Sequence, residues 1–243
     1  MKDPLGPRKF TTTQWSVVVA AKPDEKSQTQ ARKALEQLCR AYWYPLYAFV
    51  RNRGYSSIDA EDLTQSFFVR LIETSGFASA DPERGRFRSY LLGAMKHFLA
   101  NQWHRAQAQK RGGGVTFLQL DALDPEARYA LEPAQSADPD VGFDQEWAQQ
   151  SIDRAMEKLR AESETSGKGE LFEALQGSLT GDEPARSETA ARIGMTEGAV
   201  KVAVHRLRKR YRELLRAEIA ETVSDPSEVD DEMRHLVDAL RRK

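Results

Sequence analysis

The chain has 243 residues, 40% hydrophobic and 30% charged, with a formal net charge of -1, which allows one core of moderate size or two small ones. Its only cysteine, Cys39, excludes an internal disulfide and a thiolate metal cluster. No apolar run approaches the roughly 20 residues that span a bilayer or forms a signal peptide, so we expect a soluble, cytoplasmic protein without membrane insertion.

The first part of the chain carries the apolar periodicity of helices. A short helix is predicted after Thr13, and a longer one is predicted over 27–53. Pro45 lies inside the longer helix and removes a backbone donor. A kink or a break is therefore predicted near Tyr44.

The next predicted helix, over 57–73, has two different faces. Leu63, Phe67 and Leu71 recur at the spacing of a buried face. Another stripe contains Asp59, Asp62, Gln65 and Val69. This stripe offers a second surface for a partner, and a solvated acidic face is the alternative.

The helix predicted from Phe87 toward the triple glycine at 112–114 is basic and aromatic. Seven residues over 84–111 are Arg or Lys, and none is Asp or Glu. Basic groups for phosphates combined with aromatic faces for stacked bases are typical of surfaces that bind single-stranded DNA. The candidates for contact with melted DNA are Arg86, Arg88, Tyr90, Lys96, His97, Asn101, Trp103 and Arg105. Periodicity places Phe98 in the core instead, and Trp103 is compatible with either role.

Acidic residues dominate the stretch that follows. Over 121–146, eight Asp and Glu residues face a single base, Arg128, and prolines recur, which predicts a linker. Further helical patterns follow, and Pro226 introduces a tail helix that we expect to pack against the second domain. The prediction is an all-α protein of two helical domains joined by an acidic flexible linker. Its segments are a first domain at 1–111, a linker at 112–142, a second domain at 143–222 and an amphipathic extension at 223–243.

The second domain contains a helix-turn-helix pattern. Ser187 and Thr196 can cap its two helices, and Gly194 permits the positive φ of the turn. Ala190 allows a close crossing, and the inward wedge is Ile193, Met195, Val200, Val204 and Leu207. The opposite face can enter the major groove, and its DNA-binding candidates are Thr196, Glu197, Gly198, Lys201, His205, Arg206, Arg208 and Lys209. The alternatives are a helical hairpin with a solvated basic face and, for His205, an ordinary surface histidine.

Two segments resemble those of bacterial RNA polymerase sigma factors. Residues 55–71, YSSIDAEDLTQSFFVRL, are similar to the polymerase-docking helix of that family, in which an Asp-Leu pair and a Gln precede an aromatic-rich face. Residues 87–105, FRSYLLGAMKHFLANQWHR, are similar to the element that opens the upstream edge of the transcription bubble. From about residue 27 to 219, the order of docking helix, basic helix, linker and helix-turn-helix resembles the minimal extracytoplasmic-function (ECF) type.

This resemblance implies a sigma region-two-like helical bundle followed by a helix-turn-helix domain. The polymerase-binding residues that it implies are Asp59, Glu61, Asp62, Gln65, Phe68 and Val69. The stretch at 162–186 and the tail after Thr222 are elongated, and Ala203 stands where the family commonly has a basic residue. These departures suggest an atypical subgroup with a C-terminal extension.

The predicted function is that of a transcription initiation factor that is not itself an enzyme. Its implied partners are core RNA polymerase and promoter DNA, both double-stranded and melted, in the cytoplasmic nucleoid, and an anti-sigma factor or another regulator is left open. The first domain would engage the melted upstream element, and the helix-turn-helix would recognise the distal element. No cofactor or metal is predicted, because the four histidines have no ligand cluster and no nucleophile constellation is recognisable. The alternative is a helix-turn-helix regulator that acts without core polymerase.

Overall fold

Helices form the regular structure of this protein, for which the computed structural model describes residues 25–73, 87–108, 129, 138–181, 186–223 and 226–242. These ranges contain no strand, so the all-α prediction is confirmed. The helix predicted after Thr13 and most of the predicted linker lie outside them. The chain divides into two compact units, one formed by Met1–Gln150 with Ala220–Lys243 and the other by Ser151–Ile219.

The helices are named here in chain order. They are α1 (Glu25–Asn52), α2 (Ser57–Glu73), α3 (Phe87–Ala108), α4 (Pro139–Thr165), α5 (Gly169–Leu175), α6 (Gly177–Thr180), α7 (Arg186–Ile193), α8 (Glu197–Ala220) and α9 (Val229–Arg241). The first unit contains α1, α2, α3, residues 139–150 of α4, and α9. The second contains residues 151–165 of α4 and continues through α8 to Ile219.

Aromatic side chains fill the core of the first unit. The ring of Phe87 lies edge-on to Tyr42 with 5.2 Å between centroids, and Phe143 lies edge-on to Phe49 at 6.4 Å. All four residues are buried. Helix α1 continues through Pro45, so the break that this residue predicted is absent. Burial of the aromatic residues on both sides of Pro45 offsets the cost of about 3 kcal/mol for a proline inside a helix.

The start of α4 lies within the predicted linker. Asp138 precedes the helix, and its Oδ1 accepts a hydrogen bond from the backbone N of Asp140 at 2.9 Å. An aspartate cap followed by Pro139 at the first helical position is a favourable start signal, so residues 139–142 are helical. Further back in the same segment, Tyr129 donates a hydrogen bond from Oη to Oδ1 of Asn52 at 3.0 Å.

The tail helix α9 corrects one expectation. We expected it to pack against the second domain, predicted at 143–222, but it belongs to the first unit, where it contacts Arg88 of α3 as well as Asp144 and Trp147 of that predicted range. Its buried face contains Val229, Glu232, Leu236 and Ala239. Of the residues that apolar periodicity assigned to one face, Val229 and Leu236 are buried and Met233 is half-buried, whereas Val237 and Leu240 are 40% and 42% exposed. Periodicity also carries no information about which surface covers the helix. The buried carboxylate of Glu232 finds its cationic partner, Arg88, on α3 of the first unit.

The helix-turn-helix forms the core of the second unit. Ala190, Val200 and Val204 are buried together with Leu175 of α5, and the remaining members of the predicted wedge, Ile193, Met195 and Leu207, pack against them. The wedge prediction is therefore confirmed. The backbone N of Ala199 donates to Oγ1 of Thr196 at 3.2 Å, which confirms the predicted cap of α8.

Gly194 supplies the turn between α7 and α8, because its φ is +65°. A Cβ added there would meet nothing within 4 Å, so an Ala substitution tests backbone strain alone. Gly194→Ala is expected to lower the free energy of unfolding by about 1–2 kcal/mol, measured by urea unfolding followed by circular dichroism. Gly198→Ala, at a helical and equally open position, is the control and should raise it by up to about 1 kcal/mol. Equal effects of the two substitutions would contradict the strain argument.

Candidate functional site

The predicted docking surface lies along α2, which begins with a side-chain cap. Oγ of Ser56 accepts a hydrogen bond from the backbone N of Asp59 at 3.1 Å and donates one to its Oδ2 at 2.7 Å. This reciprocal pairing satisfies a backbone donor of the first turn, so Asp59 has a role in the fold as well as on the surface. Further along, Nε2 of Gln65 donates to Oε1 of Glu61 at 3.2 Å. Asp62 is exposed, and Val69 is half-buried.

Two apolar residues of α2 are not placed as the sequence predicted. Phe68, assigned to polymerase contact, is only 5% exposed, and its ring lies 5.5 Å from that of Phe67. It therefore packs in the core. Ile58 was missed by the sequence interpretation and is 72% exposed. The signal was present, because Ile58 lies outside the apolar stripe of Leu63, Phe67 and Leu71 and one turn before Asp62.

The residues of α3 assigned to melted DNA are placed in different environments. His97 and Asn101 are exposed, and Tyr90 is half-buried with its ring 6.5 Å from Phe87. Phe98 is buried with its ring 5.7 Å from Phe67, so its predicted place in the core is confirmed. The predictions for Arg86 and for the side chains of Trp103 and Arg105 lie outside the described residues.

Arg88 departs most from an exposed phosphate ligand. Its side chain is only 6% exposed and forms ion pairs with Asp144 of α4 and Glu232 of α9, the latter with 3.5 Å between Nε and Oε1. The guanidinium also lies over the ring of Trp147, 4.8 Å from its centroid. Sequence reasoning identified Arg88 as a cation on the right helix but could not foresee these partners, which are distant in the chain.

Lys96, on the same helix, also has an acidic partner. Its Nζ forms an ion pair with Asp140 near the start of α4, and both side chains are partly exposed. Both carboxylates come from the acidic stretch at 121–146, where Asp140 lies within the predicted linker at 112–142 and Asp144 lies just after it. Two of the predicted DNA-binding cations are thus paired within the first unit.

His235 of α9 completes the cluster around Arg88. Its Nε2 lies 3.2 Å from Oδ2 of Asp144, and its ring lies 6.0 Å from that of Trp147. Burial and the positive charge of Arg88 lower the pKa of His235, and this outweighs the opposing effects of Asp144 and Glu232. Neutral imidazole is therefore the form that the folded state favours.

A pH dependence follows for the first unit. Because the pKa of His235 is lower in the folded than in the unfolded chain, its contribution to stability is complete above about pH 6.5. That contribution is lost as the pH falls through the folded-state pKa. The difference in unfolding free energy between wild type and His235→Gln should therefore shrink on acidification from pH 7.5 to 5.5. A constant difference would contradict the assignment.

The predicted DNA-binding face of the helix-turn-helix is exposed along its whole length in the second unit. The exposed residues are Thr196, Glu197, Gly198, Lys201, His205, Arg206, Arg208 and Lys209. One of these cations is also used within the fold, since Nε and Nη2 of Arg208 donate to the carbonyl oxygen of Ser178 at 3.2 and 2.9 Å. Lys201, His205 and Lys209 remain as exposed groups on α8.

A groove of about 730 Å³ lies beside this face and was not foreseen from the sequence. Its lining includes Phe172, Val202 and Arg206, and Val202 is 48% exposed. At its edge, Arg210 donates hydrogen bonds to Glu162 at 2.6 and 2.8 Å. These bonds lower the pKa of Glu162. Arg206 therefore borders an apolar groove as well as the predicted DNA surface.

The described ranges contain neither a metal-site cluster nor a membrane-spanning helix. No cluster of three or more His, Cys, Asp or Glu side chains there has the arrangement of a metal site. None of the described helices combines the length and apolar character required to cross a bilayer.

Part of the chain matches a known protein family. Residues 38–109, which include most of α1 and all of α2 and α3, match the family model for Sigma-70 region 2. This match, over less than half of the chain, supports a sigma-70 factor role in promoter recognition by RNA polymerase. It also implies binding to core RNA polymerase and promoter DNA. No curated protein and no solved structure matches the chain.

Proposed function

We propose that this protein is a two-domain sigma factor of the ECF type that directs core RNA polymerase to specific promoters. In this proposal α2 docks on the polymerase, α3 engages the melted upstream element, and α8 recognises the distal double-stranded element. The factor works in the cytoplasm, and the polymerase performs all covalent chemistry. The observation that carries the proposal is the Sigma-70 region 2 match across α2 and α3.

The surface of α2 supports the docking role. Asp62 is exposed on the stripe that also contains Gln65, and Ile58 adds an exposed apolar side chain one turn before Asp62. An exposed apolar group flanked by acidic groups is the composition of a protein interface with a charged partner. Phe68 contributes from the core, where it holds α2 in place.

The surface of α8 supports the double-stranded DNA role. Lys201 and His205 are one turn apart and exposed, and they face away from the buried wedge residues Val200 and Val204. A helix held in this way can present its outer face to base edges in the major groove. Glu197 and Gly198 in the first turn of α8 are exposed, so this end of the helix is accessible to a phosphate.

Transcription with purified core polymerase and a promoter library tests the proposal. The expected result is initiation at a subset of promoters that depends on addition of this protein. Copurification with core polymerase separates the proposal from its alternative, a helix-turn-helix regulator that binds DNA without polymerase. Specific DNA binding without polymerase association would favour that alternative.

A further inference from the structure

We propose that the start of α4 and the tail helix α9 form an intramolecular clamp that blocks DNA binding by α3 and must open before the factor engages melted DNA. The clamp consists of Asp140 and Asp144 of α4 with Glu232 of α9. This inference rests on the proposed function only in assigning DNA contact to α3. It adds a regulatory role for α9.

The geometry places the clamp on the cations of α3. Arg88 and Lys96 lie about two turns apart on this helix, and each forms an ion pair with a carboxylate of α4, which is Asp144 for Arg88 and Asp140 for Lys96. Glu232 adds a second carboxylate to Arg88 and is only 2% exposed. Both cations are therefore held by acidic groups from segments outside α3.

The end of α9 is tied to α4 as well. The guanidinium Nη1 of Arg242 lies 3.7 Å from Oδ2 of Asp144, and Nε2 of Gln145 donates to the carbonyl oxygen of Arg242 at 2.5 Å. His235 contacts the same carboxylate of Asp144. Helix α9, its C-cap Arg242 and the start of α4 thus share one network centred on Asp144, and displacement of the tail removes the contacts of His235 and Arg242 with this carboxylate.

Carboxylates and phosphates compete for the same guanidinium geometry. With its side chain 6% exposed, Arg88 reaches a DNA phosphate only after Glu232 moves away. Closure and DNA binding are therefore mutually exclusive at Arg88. Linkage then requires that DNA binding weakens closure as much as closure weakens DNA binding.

A structural role alone makes a different prediction. Removal of one partner from a buried ion pair is destabilising, because the remaining charge stays buried without its counter-charge. If the Arg88 to Glu232 pair only supported the fold, its loss would change stability and leave DNA affinity unchanged. DNA affinity is therefore the measurement that separates the two roles.

The test compares Glu232→Gln with Asp231→Asn in the full-length chain. Each substitution removes one negative charge from α9, but Asp231 is exposed and pairs with Arg234 on the same helix. Glu232→Gln keeps the shape of the side chain and leaves Arg88 paired with Asp144, so the fold should persist. Deletion of α9 is unsuitable, because it would uncover the apolar surface that Val229, Leu236 and Ala239 bury.

The probe is a fluorescein-labelled single-stranded oligonucleotide of mixed sequence, followed by anisotropy. Glu232→Gln is expected to bind it at least about fivefold more tightly than wild type, the lower end of typical couplings between sites. Asp231→Asn should bind as wild type does. Equal affinities of all three proteins, or equal gains in the two variants, would overturn the proposal.

Hydrogen exchange of α9 gives a second measurement on the wild-type chain, which does not depend on a variant. Saturating oligonucleotide should accelerate exchange of the amides at 229–241, because DNA binding opens the clamp. Unchanged protection of these amides in the bound state would contradict the proposal. Failure of the proposed function is recognised separately, by the absence of core polymerase association, which neither measurement uses.

Discussion

Asp62→Lys is expected to abolish association with core RNA polymerase. Asp62 is exposed on α2, on the face that the proposed function assigns to docking. Charge reversal there replaces an attraction by a repulsion at the interface, and a like-charge contact costs several kcal/mol. We expect the affinity for core polymerase to fall by about 100-fold or more, measured by biolayer interferometry with immobilised core enzyme.

The matched control is Glu157→Lys. Glu157 is exposed on α4 in the second unit, whereas α2 belongs to the first, and the substitution changes the net charge by the same amount. Its affinity for core polymerase should equal that of wild type. Circular dichroism should show the same helix content in both variants. If Asp62→Lys binds core polymerase as tightly as Glu157→Lys does, α2 does not present the docking surface through Asp62.

The helix-turn-helix shows what local pattern can predict. The inward wedge, the cap at Thr196 and the positive φ of Gly194 all follow from short-range rules about periodicity, capping and turn conformation. Each rule depends on neighbours within one or two turns. The placement of this core was therefore predictable from a single sequence.

Arg88 shows where such prediction ends. Its partners Asp144 and Glu232 lie far along the chain, so no local pattern connects them to α3. The charge of Arg88 was visible in the sequence, but its burial was not. Phe68 was also misplaced by the sequence interpretation. It was assigned to the polymerase-binding surface, but it lies in the core. Packing between helices decides both positions.

The tail helix α9 has some features that local pattern predicts and others that depend on residues distant in the chain. Its start at Pro226 and the burial of Val229 and Leu236 follow from local signals, but Val237 and Leu240, on the same predicted face, are exposed. In the first unit, Glu232 is a buried acid on the same side of the helix as Val229 and Leu236, and it meets Arg88 of α3. Because a buried carboxylate requires a partner, the place of Glu232 on the buried side of α9 was the signal in the sequence for an ion pair with a cation on another helix.

Lys201→Ala is expected to weaken recognition of the distal promoter element while leaving polymerase association unchanged. Lys201 is exposed on α8, and the buried neighbour Val200 fixes the orientation of that helix face. A side chain at this position that contacts base edges contributes about 1–3 kcal/mol to discrimination. Affinity of the polymerase complex for the preferred promoter should therefore fall by about 5- to 150-fold, and affinity for a promoter with a scrambled distal element should fall less.

Two further variants make this result specific. Lys209→Ala removes an exposed cation farther along α8 and should weaken binding to both promoters equally, with the salt slope reduced by about 1, as expected for a phosphate contact. Lys33→Ala removes an exposed charge from α1 and should leave the affinity for both promoters unchanged. Arg206 is left intact in this design, because it also lines the apolar groove and its loss would mix two effects. Equal losses on both promoters for Lys201→Ala would place Lys201 on the phosphate backbone and leave base recognition to other residues of α8.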